Sequence, residues 1–222
     1  MLSGEAVVAI WNGISEERRA EFYAWHMREH MPERAGIPGF IRGRRYAALD
    51  AATQPEFFTL YEAATMGVLQ GSDYLARLNA PTPWTRTVTA RFLDTSRALA
   101  QVIESRGPGL GGVILTLRFD AAPGQEKALA ALVRDAAEMP RVAGAHLCAG
   151  DMAASGARTQ ESAGRTDLQA PPSWFALIEA TDAAALEGLL PDQALHAAGA
   201  TGPVLRGRYR LEYLRGKTAF SG

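Results

Sequence analysis

Two histidines spaced four residues apart are the side chains best suited to chemistry in this chain. His26 and His30 lie in the segment FYAWHMREH at residues 22–30, and this spacing places both side chains on one face of a helix. Because histidine titrates near neutral pH, one imidazole could accept a proton while the other donates a proton or orients a substrate. The alternative is that both are polar residues on the outer face of a surface helix, with Trp25 packed inward.

The same two histidines form a His-x-x-Glu-His pattern with Glu29. On a helix this pattern could present two zinc ligands and a general base. A zinc site of this kind needs a third protein ligand, and only Glu62 or Asp50 could supply it. Because the helix belongs to a small unit without a large catalytic body around it, we expect no metal site.

A second cluster, which contains Arg42, Arg44, Arg45 and Tyr46, lies on one predicted strand. Strand alternation points Arg44 and Tyr46 to one face and Arg45 to the other, and which face lines a pocket stays open. Arginine could bind a carboxylate or enolate through two hydrogen bonds, and a tyrosine hydroxyl could deliver a proton or orient a carbonyl. The alternative is an edge strand whose solvated charges discourage aggregation.

Aromatic side chains complete the candidate site. Large aromatic rings could line a pocket for an apolar ligand, although such rings also serve as plain core. The predicted catalytic residues are His30, His26 and Tyr46, and the predicted substrate-binding residues are Arg44, Arg45, Tyr61, Trp84 and Trp25.

The segment that contains these residues has a counterpart later in the chain, so the predicted strands and helices occur twice. The residues from Gly4 to Met31-Pro32 correspond without a gap to those from Gly112 to Met139-Pro140. The segment 55–63 recurs at 172–180, with proline, phenylalanine, leucine and Glu-Ala in the same places. Such self-similarity predicts one fold unit repeated in tandem. The second copy lacks both histidines, so we expect the functional site in the first.

Both copies predict the order β-α-β-β-α-β, the split βαβ arrangement of ferredoxin-like units. Pro32 disfavours helical backbone in the residue before it, so the first helix should end near Met31. The predicted strands are 6–11, 40–48, 57–63, 85–93, 112–119, 145–152, 174–180 and 205–213, and the predicted helices are 15–31, 67–78, 126–138 and 183–190.

The fold class is therefore expected to be α+β, with two tandem ferredoxin-like repeats. The repeats should occupy residues 1–104 and 110–217, with a link at 97–111 and a mobile polar loop at 153–172. A ferredoxin-like unit leaves one face of its sheet bare. Two antiparallel sheets packed face to face would cover both bare faces and form a pseudo-dimeric α+β barrel.

The stretch 22–34, continued by Ile37-Pro38-Gly39-Phe40 and Arg44-Arg45-Tyr46, resembles the dimeric α+β barrel superfamily, and within it the EthD-like and stress-responsive barrel proteins. In that resemblance His30, just before Met31-Pro32, matches the family's histidine. Members include lactone isomerases, cofactor-free oxygenases acting on polycyclic phenols, haem-dependent peroxidases and accessory proteins. The chain has no match to the proximal-histidine region of the haem branch, so we expect no cofactor.

Two function classes follow. The first is an enzyme that binds a small aromatic or carbonyl metabolite and moves a proton, as an isomerase, cyclase or cofactor-free oxygenase does, with His30 as the leading acid or base. The second is a non-catalytic ligand-binding or accessory barrel in which the same residues only shape a pocket. A third possibility is an oligomerisation module without a pocket.

Charge and composition exclude several other partners. The chain has 23 basic and 24 acidic residues, so it has no basic field to attract nucleic acid or an anionic membrane surface. No apolar run is long enough to span a bilayer. The single cysteine, Cys148, cannot form an internal disulfide, and the first residues lack the features of a secretion signal. We expect a cytoplasmic protein, either a monomeric pseudo-dimer or a homodimer.

Overall fold

The computed structural model describes residues 1–217, and its eight strands form a closed antiparallel barrel. The strands are β1 Ala6–Ile14, β2 Phe40–Ala48, β3 Phe57–Ala63, β4 Phe92–Arg106, β5 Val113–Ala121, β6 Val142–Gly150, β7 Trp174–Ala180 and β8 Ala200–Gly216. Their order around the barrel is β1-β3-β2-β8-β5-β7-β6-β4. The predicted strands 40–48 and 57–63 are confirmed at both ends.

Short helices surround the barrel. They are α1 Arg19–Trp25, α2 Met31–Gly36, α3 Met66–Gln70, α4 Ser72–Asn79, α5 Pro83–Thr89, α6 Glu126–Ala137, α7 Met152–Gly156 and α8 Asp192–Ala197, with 3-10 turns at Glu16–Arg18 and Ala183–Leu186. None of the helices within residues 1–217 is both long enough and apolar enough to cross a membrane.

Each half of the chain supplies four neighbouring strands. The first half contributes β4-β1-β3-β2 and the second contributes β8-β5-β7-β6. The two half-sheets are joined at their edges, since β2 pairs with β8 and β4 pairs with β6. The barrel is therefore α+β and antiparallel as predicted, and its halves share backbone hydrogen bonds in addition to the packing of their inner faces.

The core has an inner and an outer layer. Inside the barrel, side chains from both halves pack together, among them Trp11, Phe58, Phe175, Leu177 and Tyr209. Outside it, the helices of each half cover the outer face of their own half-sheet. Strand alternation therefore decides whether a residue reaches the barrel interior or the layer between helix and sheet.

The first long helical segment continues through Pro32, which corrects the predicted end at Met31. Between α1 and α2 the backbone forms a π-helical turn at His26–His30, in which the Met31 N–H donates to the His26 carbonyl. Proline lacks an N–H and its ring clashes with the carbonyl four residues earlier. The widened turn just before Pro32 lets the helix absorb the proline and continue to Gly36.

The predicted strand 85–93 is wrong, because most of it is helix α5. Thr82 caps this helix by accepting a hydrogen bond from the Thr85 N–H at 2.9 Å, and Pro83 occupies its first turn. This capping arrangement outweighs the strand preference of Thr and Val. The strand follows later as β4, so most of the predicted link 97–111 is also strand.

Residues 151–173 connect β6 to β7 and form what we call the strap. The strap begins with α7 and crosses the outer side of β4, a strand of the other half. Its backbone pairs with Thr95 through Asp167 and Gln169, at 3.0 and 2.7 Å. Ser155 Oγ accepts from the Leu99 N–H at 2.9 Å. Through these contacts the second half covers part of the first.

Candidate functional site

The predicted site residues lie in two compartments separated by the first half-sheet. The side chains of Arg44 and Tyr46 point into the barrel, whereas Arg45, on the same strand, points outward toward α1. The histidines and the other predicted aromatic residues lie in the layer between helices and sheet: His26, His30, Trp25, Tyr61 and Trp84. The structure thus brings the histidines together with Tyr61, and it separates them from Tyr46 and Arg44.

The π-helical turn holds both histidines toward the sheet. His26 and His30 are almost fully buried, and their rings stack with centroids 5.7 Å apart and planes 20° apart. π-Helical turns within α-helices occur frequently at functional sites, because they shift side chains away from regular helical positions. Both rings are therefore on the inner face of the helix, and the alternative of an outward, solvated pair is wrong.

His26 is fixed by its neighbours. Its Nδ1 lies 3.4 Å from Arg45 Nη1, and its ring stacks on Phe22 at 5.2 Å. Arg45 also pairs with Glu212 at 3.3 Å and lies 4.6 Å above the ring of Tyr23. Burial, together with the charge of Arg45, lowers the pKa of His26 well below its ordinary value. His26 is therefore neutral at pH 7.

His30 combines burial with an unused polar atom. Its ring packs against Trp25, with centroids 4.3 Å apart, and its Nδ1 is buried without a hydrogen-bond partner. Burial first, then the charge of Arg34, lowers the pKa of His30 well below its ordinary value. The imidazole is therefore neutral at pH 7. Buried polar atoms in proteins are almost always paired, so an unpaired one calls for an explanation.

Tyr61 faces His30 from β3. The two ring centroids are 6.4 Å apart in an edge-on arrangement, and the Tyr61 hydroxyl is also buried without a hydrogen-bond partner. Burial raises the pKa of Tyr61, so it remains a neutral phenol. Gly43 on the neighbouring strand makes room for the ring, because a Cβ there would lie 2.7 Å from Tyr61 Cε1.

Arg34 closes the far side of this pair. Its side chain is 3% exposed and forms ion pairs with Glu33, at 3.0 Å, and with Glu161 of the strap. Its charge acts on both candidate residues, since it lowers the pKa of His30 and opposes the rise in the pKa of Tyr61. A neutral proton acceptor, a neutral proton donor and a buried cation therefore surround one small region of the helix–sheet layer.

The barrel interior holds a second polar cluster, which fixes Arg44. Its guanidinium lies 3.0 Å from Glu62 and 2.8 Å from Glu179, and all three side chains are fully buried. His146 lies 3.3 Å from Glu179. Although burial opposes it, the hydrogen bond from His146 and the charge of Arg44 lower the pKa of Glu179 to about 2. Arg44 is thus occupied by carboxylates of the protein itself.

Tyr46 also belongs to the barrel interior. Its ring packs 5.6 Å from Phe58, and its buried hydroxyl has no hydrogen-bond partner. Burial raises the pKa of Tyr46. The strand β2 lies between this hydroxyl and the histidines, so Tyr46 and His30 belong to different compartments.

The His-x-x-Glu-His pattern does not converge on one point. Glu29 accepts hydrogen bonds from the hydroxyls of Thr82 and Thr85, at 2.6 and 3.1 Å, and so supports α5. Trp25 Nε1 donates to the same Thr85 hydroxyl at 3.1 Å. Across residues 1–217, no group of three or more His, Cys, Asp or Glu side chains is arranged to hold a metal ion.

Three residues that matter here were missing from the sequence prediction. Arg34 lay within the stretch that carries the family resemblance, yet its burial could not be read from the sequence. Its partner Glu161 is 127 residues away in the chain, so no local pattern connects them. Gly43 had a local signal, because a glycine inside a strand often marks a close approach by another group.

Comparison with known proteins identifies the fold. No protein-family profile and no curated protein sequence matches the chain. An anthrone oxidase-like protein superposes with a TM-score of 0.61 at 14% identity, covering 95% of this chain and 92% of that chain. A proposed monooxygenase from Fusobacterium nucleatum gives 0.57 at 8% identity, covering 97% and 96%. A proposed chlorite dismutase gives 0.56 at 11% identity, covering 95% and 96%.

The chain has the dimeric α+β barrel fold. Matches over nearly the whole length of both chains, together with the closed eight-stranded antiparallel barrel, establish this. The identities are too low to carry an activity from one dimeric α+β barrel protein to another. One fold supports many reactions, so function has to be argued from the site.

Proposed function

We propose that this chain is an EthD-like barrel, formed by tandem duplication of a ferredoxin-like unit, that binds a small aromatic or carbonyl metabolite beside His30. The observation that carries the proposal is that His30 Nδ1 and Tyr61 Oη are both buried without a hydrogen-bond partner, on rings whose centroids lie 6.4 Å apart. Leaving each atom unpaired costs about 1–3 kcal/mol. We propose that polar groups of a bound ligand supply the missing partners of these atoms.

The duplication is supported by the equivalent pairing of the two halves. Ala6 pairs with Ala63 in the first half, and Val113, one residue before the position that the gap-free sequence alignment matches to Ala6, pairs with Ala180 in the second. Both Ala63 and Ala180 follow a buried glutamate, Glu62 or Glu179, at the same place in its strand. The half that carries the histidines would then be the functional one, and the other half the scaffold.

The reaction best suited to the pair is a proton transfer. A neutral imidazole can take a proton from a carbon or hydroxyl made acidic by a neighbouring carbonyl, while the Tyr61 phenol donates a hydrogen bond to the carbonyl oxygen. Isomerisation, cyclisation and cofactor-free oxygenation all begin with such a step, and proteins named monooxygenase or anthrone oxidase-like share the fold.

A thermal-shift screen tests binding. Aromatic ketones and phenols would be added to the native protein, to His30→Gln and to the control His196→Gln, whose histidine is exposed on α8. We expect compounds that raise the melting temperature of the native protein and of the control but not of His30→Gln. Equal stabilisation of all three proteins by every hit would contradict the proposed site.

The second candidate function is ligand binding without catalysis, and the lowered pKa of His30 favours it, because burial makes this imidazole a weak base. Both side chains are no more than 5% exposed, so a substrate needs an opening motion to reach them. Incubating a hit from the screen in deuterated water separates the two functions. Deuterium uptake beside the carbonyl that depends on His30 supports the enzyme, and binding without uptake supports the accessory barrel.

The assembly and the surroundings of the protein are proposed on the same basis. Because one chain supplies all eight strands, the barrel needs no second subunit, which favours a monomeric pseudo-dimer over a homodimer. The balanced charge favours a small-molecule ligand over nucleic acid or membrane. The cytoplasm is the compartment that suits a chain with one buried cysteine. Sedimentation analysis would give the mass of the assembly.

A further inference from the structure

A double cavity lies beneath the strap, apart from the histidine pair. One chamber of about 270 Å³ and another of about 290 Å³ lie between the strap, α4 and the outer face of β4. Both chambers are lined by Leu78, Arg97, Ala157 and Thr159. Each chamber alone approaches the lower end of the range of small-molecule sites, about 300–1,000 Å³, and together they suit one elongated ligand.

The two chambers differ in chemistry. The first is polar and contains Arg97, Arg158, Ser155 and Ser162. The second is mostly apolar and is lined by Leu69, Leu75, Leu78, Leu99, Ala153 and Ala154. A ligand that fills both would therefore have a polar head and an apolar body.

The charged residues of the polar chamber determine which charge the polar head of a ligand should carry. Arg165 is neutralised by Asp167 at 2.6 Å, and Glu161 by Arg34. Arg97 and Arg158, by contrast, have no ion-pair partner within the described residues 1–217. The second chamber also contains Asp151, whose carboxylate accepts hydrogen bonds from Gln70 Nε2 and the Ala154 N–H. Two arginines without ion pairs against this one carboxylate leave an excess of positive charge, which attracts an anion.

Arg97 is positioned to receive that anion at the boundary of the two chambers. Its Nη2 donates to the Tyr74 hydroxyl at 2.8 Å, and its guanidinium lies 5.8 Å from the centroid of that ring. This contact fixes the side chain and leaves other N–H groups of the guanidinium free. A planar guanidinium matches a carboxylate through two parallel hydrogen bonds.

We propose that the double cavity binds an amphipathic monocarboxylate. Its carboxylate pairs with Arg97, supported by Arg158, and its apolar body lies along Leu69, Leu75 and Leu99. The strap supplies one wall, so residues of the second half and strand β4 of the first half line the same site. Neither His30 nor Tyr61 lines this site, and a link between the two sites is Glu161, which lines the first chamber and pairs with Arg34.

Decanoate and decan-1-ol are the matched probes, because they share a chain and differ in the charged head. Isothermal titration of the native protein should give saturable decanoate binding at least tenfold tighter than decanol binding. Arg97→Gln should weaken decanoate at least tenfold and leave decanol unchanged. The control Arg210→Gln, which removes an exposed arginine of β8 that does not line the cavity, should change neither value.

Further variants keep the test decisive. Leu75 is partly exposed, so Leu75→Asp should fold normally and weaken decanoate by placing a like charge beside it. His30→Gln should bind decanoate like the native protein, which separates this site from the proposed function. The proposal is overturned by equal affinities for decanoate and decanol, by full decanoate binding in Arg97→Gln, or by no saturable decanoate binding to the native protein.

Discussion

Arg44 of the first half and Glu179 of the second meet inside the barrel at 2.8 Å, and neither side chain is accessible to solvent. Arg44 also lies 3.0 Å from Glu62 of its own half. One guanidinium therefore balances carboxylates from both half-sheets where they enclose the interior. Removing one member of such a buried set leaves a charge without compensation, which costs far more than losing a surface pair.

Arg44→Met should lower the free energy of unfolding by about 3–5 kcal/mol, because Glu62 and Glu179 lose their cation. Urea denaturation followed by circular dichroism measures the loss. The matched control is Arg141→Met, which breaks the exposed pair with Asp182 and should change little. Adding Glu179→Gln to Arg44→Met should recover part of the stability. A loss no larger than that of the control would show that the cluster is solvated in solution.

Gly43→Ala should disturb the packing of the Tyr61 ring against strand β2. The added Cβ would lie 2.6 Å from Met31 Sδ and 2.7 Å from Tyr61 Cε1, and both side chains are buried. Overpacking of this kind costs about 1–3 kcal/mol and should displace the ring from His30. Gly36→Ala is the control, because a Cβ there meets nothing within 4 Å. Denaturation of the two variants gives the comparison, and equal stabilities would contradict the close packing.

Tyr61→Phe should make the ligand-free protein more stable and a ligand bind less tightly. The substitution removes a buried hydroxyl without a partner, so the free energy of unfolding should rise by about 1 kcal/mol. Tyr74→Phe is the matched control, since its hydroxyl accepts from Arg97 and its loss should destabilise. If Tyr61→Phe destabilises as much as the control, the hydroxyl is paired in solution and the proposed ligand contact fails.

His26 and His30 should remain neutral at pH values where an ordinary histidine becomes charged. Both have a pKa well below 6.5 in the folded protein, whereas the unfolded chain binds protons near 6.5. The unfolded state thus holds more protons as the pH falls, so the free energy of unfolding should decrease below pH 6.5. Each histidine should contribute about 1 kcal/mol between pH 6.5 and 5.5.

Ring-proton NMR signals of these two histidines test this directly. We expect no titration between pH 7.5 and 5.5, and a smaller pH dependence of stability in His30→Gln than in the native protein. A midpoint near pH 6.5 for His30 would mean that its ring is solvated. That result would contradict the proposal that a buried, neutral His30 accepts a proton from a substrate.

The sequence predicted the elements whose signals are local. Strands β2 and β3 were located at both ends because alternating or continuous apolar runs are bounded by turn residues. Helix α5 was missed because Thr82 and Pro83 outweighed the strand preference that follows them. The helix through Pro32 was missed because a π-helical turn depends on the fit of the helix to the sheet beneath it.

The candidate site was only partly predictable for the same reason. The spacing of His26 and His30 placed them on one face, and strand alternation separated Arg44 from Arg45. Neither pattern shows which face of β2 meets the helices. Glu161, which pairs with Arg34, lies 127 residues away in the chain, so this contact depends on the closed strand order and not on nearby residues.

One chain supplies all eight strands, so each substitution enters this barrel once. In a barrel of two identical subunits every change appears twice and has to be tolerated at both symmetry-related positions. Here the strap of one half can fold over the other without a mirror-image strap competing for the same space. Breaking the symmetry in this way allows one side to specialise in reactivity while the other retains the residues that keep the barrel stable.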